Sequence, residues 1–249
     1  MKNSILLYIL FCVVYISNAQ ETGEDKLGAW YMYSGIHRLS NKLSINSVVQ
    51  VREYETINNL NTLLLLTGLS YNINSNIVTT MGYGYLNINS SYENLPDENK
   101  INEHRIFEQV SLKNTLWKLR FEHRYRFEQR FLDYTNRKDT QYRTRYRLQV
   151  TMPLNDTFFI NVYDEIFLNL QNDIFSQNRM YTALGMKINK SSKVQFGYLK
   201  NNFNSIAFDR LQIGISINTD FRNNKENNYI DKTSTSLTLN DQSKVLTSD

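Results

Sequence analysis

Residues 119–131, LRFEHRYRFEQRF, alternate without a break. Successive side chains of an extended strand point to opposite faces. Leu119, Phe121, His123, Tyr125, Phe127, Gln129 and Phe131 therefore share one face, and Arg120, Glu122, Arg124, Arg126, Glu128 and Arg130 share the other. A soluble sandwich core cannot accept a fully charged face. The wall of a membrane barrel accepts both, with apolar residues toward lipid and polar ones toward the lumen. The segment predicts a transmembrane β-strand.

From Gly28 to Phe221 the chain divides into eleven alternating segments of about the length a tilted strand needs to cross the hydrocarbon layer. They read as 28–38, 43–54, 62–73, 76–88, 103–115, 117–131, 140–152, 157–170, 178–189, 192–203 and 208–221. Short connections at 39–42, 74–75, 114–116, 153–156 and 190–191 alternate with longer polar ones at 55–61, 89–102, 132–139, 171–177 and 204–207. Short periplasmic turns and longer external loops are the barrel pattern, so the predicted fold is all-β, a transmembrane antiparallel up-and-down β-barrel. An odd count places the N-terminus outside, whereas bacterial single-chain barrels carry even numbers, so about twelve strands are expected, with about ten as the alternative. The missing strand would lie within 229–240, where Ser234–Leu239 alternate weakly, unless the N-terminal stretch threads back through the lumen.

At the N-terminus, Lys2 precedes an apolar run from Ile5 to Ile16 and a Ser17-Asn18-Ala19 site. This reads as a signal peptide over 1–19, with the mature chain starting at Gln20 and an N-terminal stretch over 20–27. The run is shorter than the roughly 20 apolar residues of a spanning helix. Cys12 lies inside it, so the mature barrel, 28–221, would hold no thiol. The final segment, 222–249, is a polar tail with little to bury, and disorder is expected there. Phe221 is an aromatic terminus of the sort that resembles barrel-assembly signals.

Aromatic residues make up 13% of the chain although its mean hydropathy is negative, as expected when only alternate residues face lipid between aromatic girdles. The formal charge of +4 includes Lys2 and is spread without a basic tract, which argues against nucleic-acid binding. His37, His104 and His123 sit on three separate segments with no metal-ligand spacing, so neither a metal nor another cofactor is expected.

The runs EHRIFEQ (103–109), FEHRYRFEQR (121–130), YRTRYRLQ (142–149), YDEIFLN (163–169), QNRMYTALG (177–185) and FDRLQIGI (208–215) resemble, in order and spacing, a family catalogued as domain of unknown function 2490. The resemblance covers about Leu27 to Phe221 and implies a small outer-membrane β-barrel. It brings no catalytic or ligand residues.

Charge gathers on neighbouring segments. Arg120, Glu122, Arg124, Arg126, Glu128 and Arg130 would lie beside Arg143, Arg145 and Arg147, and these beside Glu165. Seven arginines against three glutamates would form a polar lumen network, either packing a narrow barrel shut or lining a narrow path that prefers anions. The 103–109 glutamates could cancel the surplus. A lipid-modifying enzyme is the rival reading, with His123 projecting outward, but Tyr142, Thr144 and Tyr146 stand beside it where a nucleophile is needed, so no catalytic residue is assigned. A surface binding protein using loops 89–102 and 132–139 is a third. Asp164 and Glu165 cannot both face the lumen of a regular strand, and Gly82 with Gly84 predicts a place where a bulky group packs on the wall. The expected partners are outer-membrane lipid and the barrel-assembly machinery, with a monomer as the default state and the bacterial outer membrane as the location.

Overall fold

A computed structural model of the protein describes residues 23, 25–92, 100–171 and 173–222. The signal peptide, the Ser234–Leu239 strand candidate and the polar tail beyond Arg222 lie outside the described residues. The strands are β1 (Gly28–Arg38), β2 (Leu43–Glu53), β3 (Leu60–Asn72), β4 (Ile77–Asn89), β5 (Lys100–Leu116), β6 (Leu119–Tyr134), β7 (Lys138–Pro153), β8 (Phe158–Asn169), β9 (Phe175–Lys187), β10 (Ser192–Asn202) and β11 (Ala207–Asp220). Every alternating segment forms one strand, because the period-two pattern gives each a polar face and an apolar face to place on opposite sides of a wall. The β5–β6 turn sits at Trp117-Lys118 rather than at 114–116, and Trp117 takes φ 56° there.

Consecutive strands pair antiparallel, and the barrel closes where β1 pairs with β11 in parallel, from Gly28 beside Arg210 to Arg38 beside Asp220. The expectation of twelve or ten strands is corrected to eleven among the described residues. With an odd number, the first and last strands run the same way, so the closing seam is parallel instead of antiparallel. The N-terminal stretch does not thread the lumen where it is described: Gly23 is buried against Tyr54 and Tyr92, at the end that carries the long loops.

Register sorts the faces. Gln50, Leu64, Leu86 and Glu103 are adjacent inward positions and are all buried, whereas outward positions such as Leu69, Met81, Tyr125, Leu184 and Phe196 are at least half exposed. Gly82 faces inward, and a Cβ there would overlap the Phe107 ring on β5. Phe107 in turn underlies the Arg126 guanidinium, 4.3 Å from the ring centre. The glycine pair thus makes room for Phe107 and, at Gly84, for Leu66, with the arginine one layer further in. Gly82→Ala is expected to displace Phe107 and destabilise the barrel by about 1–3 kcal/mol, the usual cost of overpacking, measured as a shift in the denaturant midpoint of unfolding.

Candidate functional site: the arginine-lined lumen

The β6–β7 register sets Arg124 opposite Arg147, Arg126 opposite Arg145 and Glu128 opposite Arg143, all pointing inward. Two of these three cross-strand pairs are like-charged and would repel if left to themselves. Glutamates shared among several arginines offset this. Glu128 is fully buried, and its Oε1 accepts from Arg145 Nη1 at 2.7 Å and Arg105 Nη1 at 3.2 Å, while its Oε2 accepts from Arg143 Nε at 2.9 Å and Nη2 at 2.6 Å. Arg126 Nη1 stands 3.7 Å from the same carboxylate.

Around that centre, Glu165 Oε1 accepts from Arg124 Nη2 at 2.5 Å and from Arg145 Nη2 at 2.7 Å. Glu103, also fully buried, takes Arg105 Nε at 2.8 Å on Oε1 and Arg130 Nη2 at 2.8 Å on Oε2. Arg147 Nη2 reaches Glu122 Oε1 at 3.0 Å. Charge-assisted, forked contacts of this type are the strong ones, and guanidinium suits them because it is planar and presents several donors at once.

Seven of the ten residues expected from the sequence thus meet in one network, and Arg147 with Glu122 forms a separate pair beside it. Arg120 joins neither: it is exposed near the short-turn end and makes no ion pair among the described residues. Asp164 and Glu165 split between the faces without a local bulge; Glu165 joins the network, and Asp164 points outward and accepts from Asn178 Nδ2 at 2.6 Å. The 103–109 segment likewise divides. Glu103 and Arg105 face inward, while Glu108 stands on the outer face between Met81 and Phe127. His123 is outward, with Nδ1 at 2.9 Å from Tyr146 Oη.

The sequence reading missed the arginines that complete the site from the other side. Arg52 on β2 and Arg179 on β9 both lie against Trp30, 4.2 and 4.9 Å from its ring. Arg52 bonds Gln50 Oε1 through Nε at 2.8 Å and Nη2 at 2.6 Å, and Arg179 Nε donates to Asn201 Oδ1 at 3.3 Å. Neither has a carboxylate partner among the described residues. Each is the single arginine of its strand, so only its inward parity could have marked it. Arg145 and Arg179 also share Phe167, at 4.3 and 4.5 Å from its ring, which ties the two clusters together.

These groups line a cavity of about 750 Å³. Ten arginines and Lys193 face it, and the carboxylates that pair with them are the four of Glu103, Glu122, Glu128 and Glu165. The surplus read from three segments is enlarged by the whole barrel. Among the described residues, no group of three or more His, Cys, Asp or Glu is placed to hold a metal.

Fold and lumen define a closed β-barrel with a polar, arginine-rich interior. The family model described as "Protein of unknown function (DUF2490)" matches residues 27–212, and the chain belongs to that family. A solved structure, described as a NanC porin in a rhombohedral crystal form, shares the fold with a TM-score of 0.50 and 12% identity, covering 77% of this chain and 98% of that one. No curated protein matches the chain.

Proposed function

We propose that the chain is an integral outer-membrane β-barrel whose lumen is a narrow, anion-preferring path, with long loops outside and short turns in the periplasm. The observation that carries this reading is the charge imbalance of the lumen: ten arginines and a lysine against four glutamates. Arginine rings and ladders favour anions and phosphate in pores. Arg52 and Arg179 carry the most weight, since half-buried cations without a carboxylate partner among the described residues favour a mobile counter-ion. The neighbour's description as a porin supports the pore class and says nothing of its solute.

The test is single-channel recording of refolded protein in a planar bilayer, with a salt gradient to read selectivity. Discrete steps whose reversal potential moves toward the chloride equilibrium value are expected. A folded sample that stays silent would overturn the pore and leave the network as internal packing.

The membrane reading has its own test. Glu108 is exposed midway along β5 on the face that would meet lipid, and it makes no ion pair among the described residues. A carboxylate there is unfavourable in hydrocarbon and harmless in water. Glu108→Leu is expected to raise the unfolding temperature in lipid vesicles by about 2–4 °C. No gain in vesicles would count against a lipid-facing wall.

A further inference from the structure

The outer face of the closing seam holds three polar side chains that the lumen reading does not use. His37 on β1 meets Ser47 Oγ on β2 through Nε2 at 3.0 Å, and Thr219 Oγ1 on β11 through Nδ1 at 2.8 Å. We propose that Ser47, His37 and Thr219 form a hydrolytic site for the acyl ester of a glycerophospholipid. The identity of that substrate rests on the membrane reading above; the pore plays no part in it.

The chemistry follows from the order of contacts. With the imidazole proton on Nδ1, that N–H donates to Thr219 Oγ1, and the bare Nε2 accepts from the Ser47 hydroxyl. This is the arrangement in which a base activates a nucleophile and a third group orients the base. Ser47 Oγ would attack the ester carbonyl carbon as Nε2 takes the hydroxyl proton. Collapse of the tetrahedral adduct breaks the acyl–oxygen bond, and the proton passes to the departing glycerol oxygen, releasing a lysophospholipid. Water, deprotonated by the same Nε2, then cleaves the acyl-serine to a fatty acid and restores the hydroxyl. Thr219 touches neither substrate nor nucleophile and is a positioning residue.

The surroundings suit that substrate. Gly35 lies between these groups: His37 Nε2, Ser47 Oγ and Tyr33 Oη each stand 2.6 Å from the point a Cβ would occupy there. A side chain at 35 would collide with all three, so the glycine lets these polar groups close over the wall, with the Tyr33 hydroxyl in the cluster to donate to the developing oxyanion. On the same face, Ile45 is paired beside His37, and Val49 and Ile215 beside Tyr33. These three are 37–39% exposed and offer an apolar bed for an acyl chain. His37 is the penultimate residue of β1, and Ser47 lies within one short stretch of the start of β2, so the site is near the short-turn rim. A barrel wall meets the headgroup boundary, where lipid esters reside, at its rim. In the proposed orientation this is the inner leaflet.

The experiment uses the refolded full barrel in detergent and in phosphatidylethanolamine vesicles. Folding of each variant is checked by heat-dependent gel migration. A fluorophosphonate probe is expected to attach to the folded protein once, on the peptide that holds Ser47. Ser47→Ala and His37→Asn are expected to abolish attachment and to cut lysophospholipid release at least a hundredfold. Thr219→Val should lower release about tenfold, and Thr219→Ser should restore it, a rescue that mere packing would not produce. No attachment to folded protein, attachment elsewhere, or release unchanged in Ser47→Ala would each overturn the site. Should Ser47→Ala fail to fold, mapping of the probe on the unaltered protein decides alone. A protein that never inserts into vesicles removes the membrane reading, while labelling in detergent still judges the trio. A silent bilayer recording bears only on the pore.

Discussion

Glu128→Ala is expected to cost about 3–5 kcal/mol of stability, the range for removing one partner of a buried ion pair. The reason is the number of cations that share this one carboxylate. Arg105, Arg143 and Arg145 donate to it directly, and Arg126 stands beside it. Glu128 is fully buried, so the alanine variant leaves Arg143 and Arg126 without a carboxylate among the described residues, while Arg105 keeps Glu103 and Arg145 keeps Glu165. Glu165 and Glu103 cannot replace it, because each already serves arginines of its own. Arg120→Ala is the matched control: an exposed side chain outside the network should change stability by less than about 0.5 kcal/mol. Denaturant titration of both variants, followed by gel migration, checks the contrast. If Glu128→Ala matched Arg120→Ala, the lumen charges would be solvated individually and would form no network.

The second large effect has two readouts of opposite sense. Replacing Arg52 and Arg179 together by glutamine is expected to reduce anion selectivity strongly and to leave the barrel as stable or more so. Both guanidiniums stack on Trp30, and neither has a carboxylate partner among the described residues. They stand as like charges against one ring, so removing them relieves repulsion and desolvation without orphaning a carboxylate. Selectivity is read from the reversal potential in a salt gradient and stability from the unfolding midpoint. Loss of selectivity with loss of folding would mean that the pair is structural. Unchanged selectivity would place the anion path elsewhere in the lumen.

Much of the candidate site was legible in the chain because a strand's period is two. Parity alone places Arg124, Arg126, Glu128, Arg143 and Arg145 on one side of the wall, and the structure finds them there. The same rule, applied to β5, would have added Glu103 and Arg105. Parity gives direction and says nothing of distance. That Glu128 lies among four arginines, while Arg120 stands apart, depends on stagger between strands and on how deep each residue sits.

What the sequence by itself determined is the barrel class, the eleven strand segments to within about three residues, and the sign of the lumen charge. Each is a local property: alternation within a segment, turn residues between segments, and a count of charges on one parity. What only the tertiary structure decided is closure. Alternation fixes the two faces of every strand but cannot say whether the last strand meets the first, and an odd number makes that meeting parallel. The seam brings Arg38 beside Asp220 and Thr219 beside His37, residues at opposite ends of the barrel sequence. The outward histidine that the sequence offered for chemistry, His123, is bonded to a tyrosine of the neighbouring strand, whereas His37 takes Ser47 from its own hairpin and gains Thr219 only through the seam. Contacts formed by ring closure join segments with no local pattern in common, so no reading of either segment alone could have paired them.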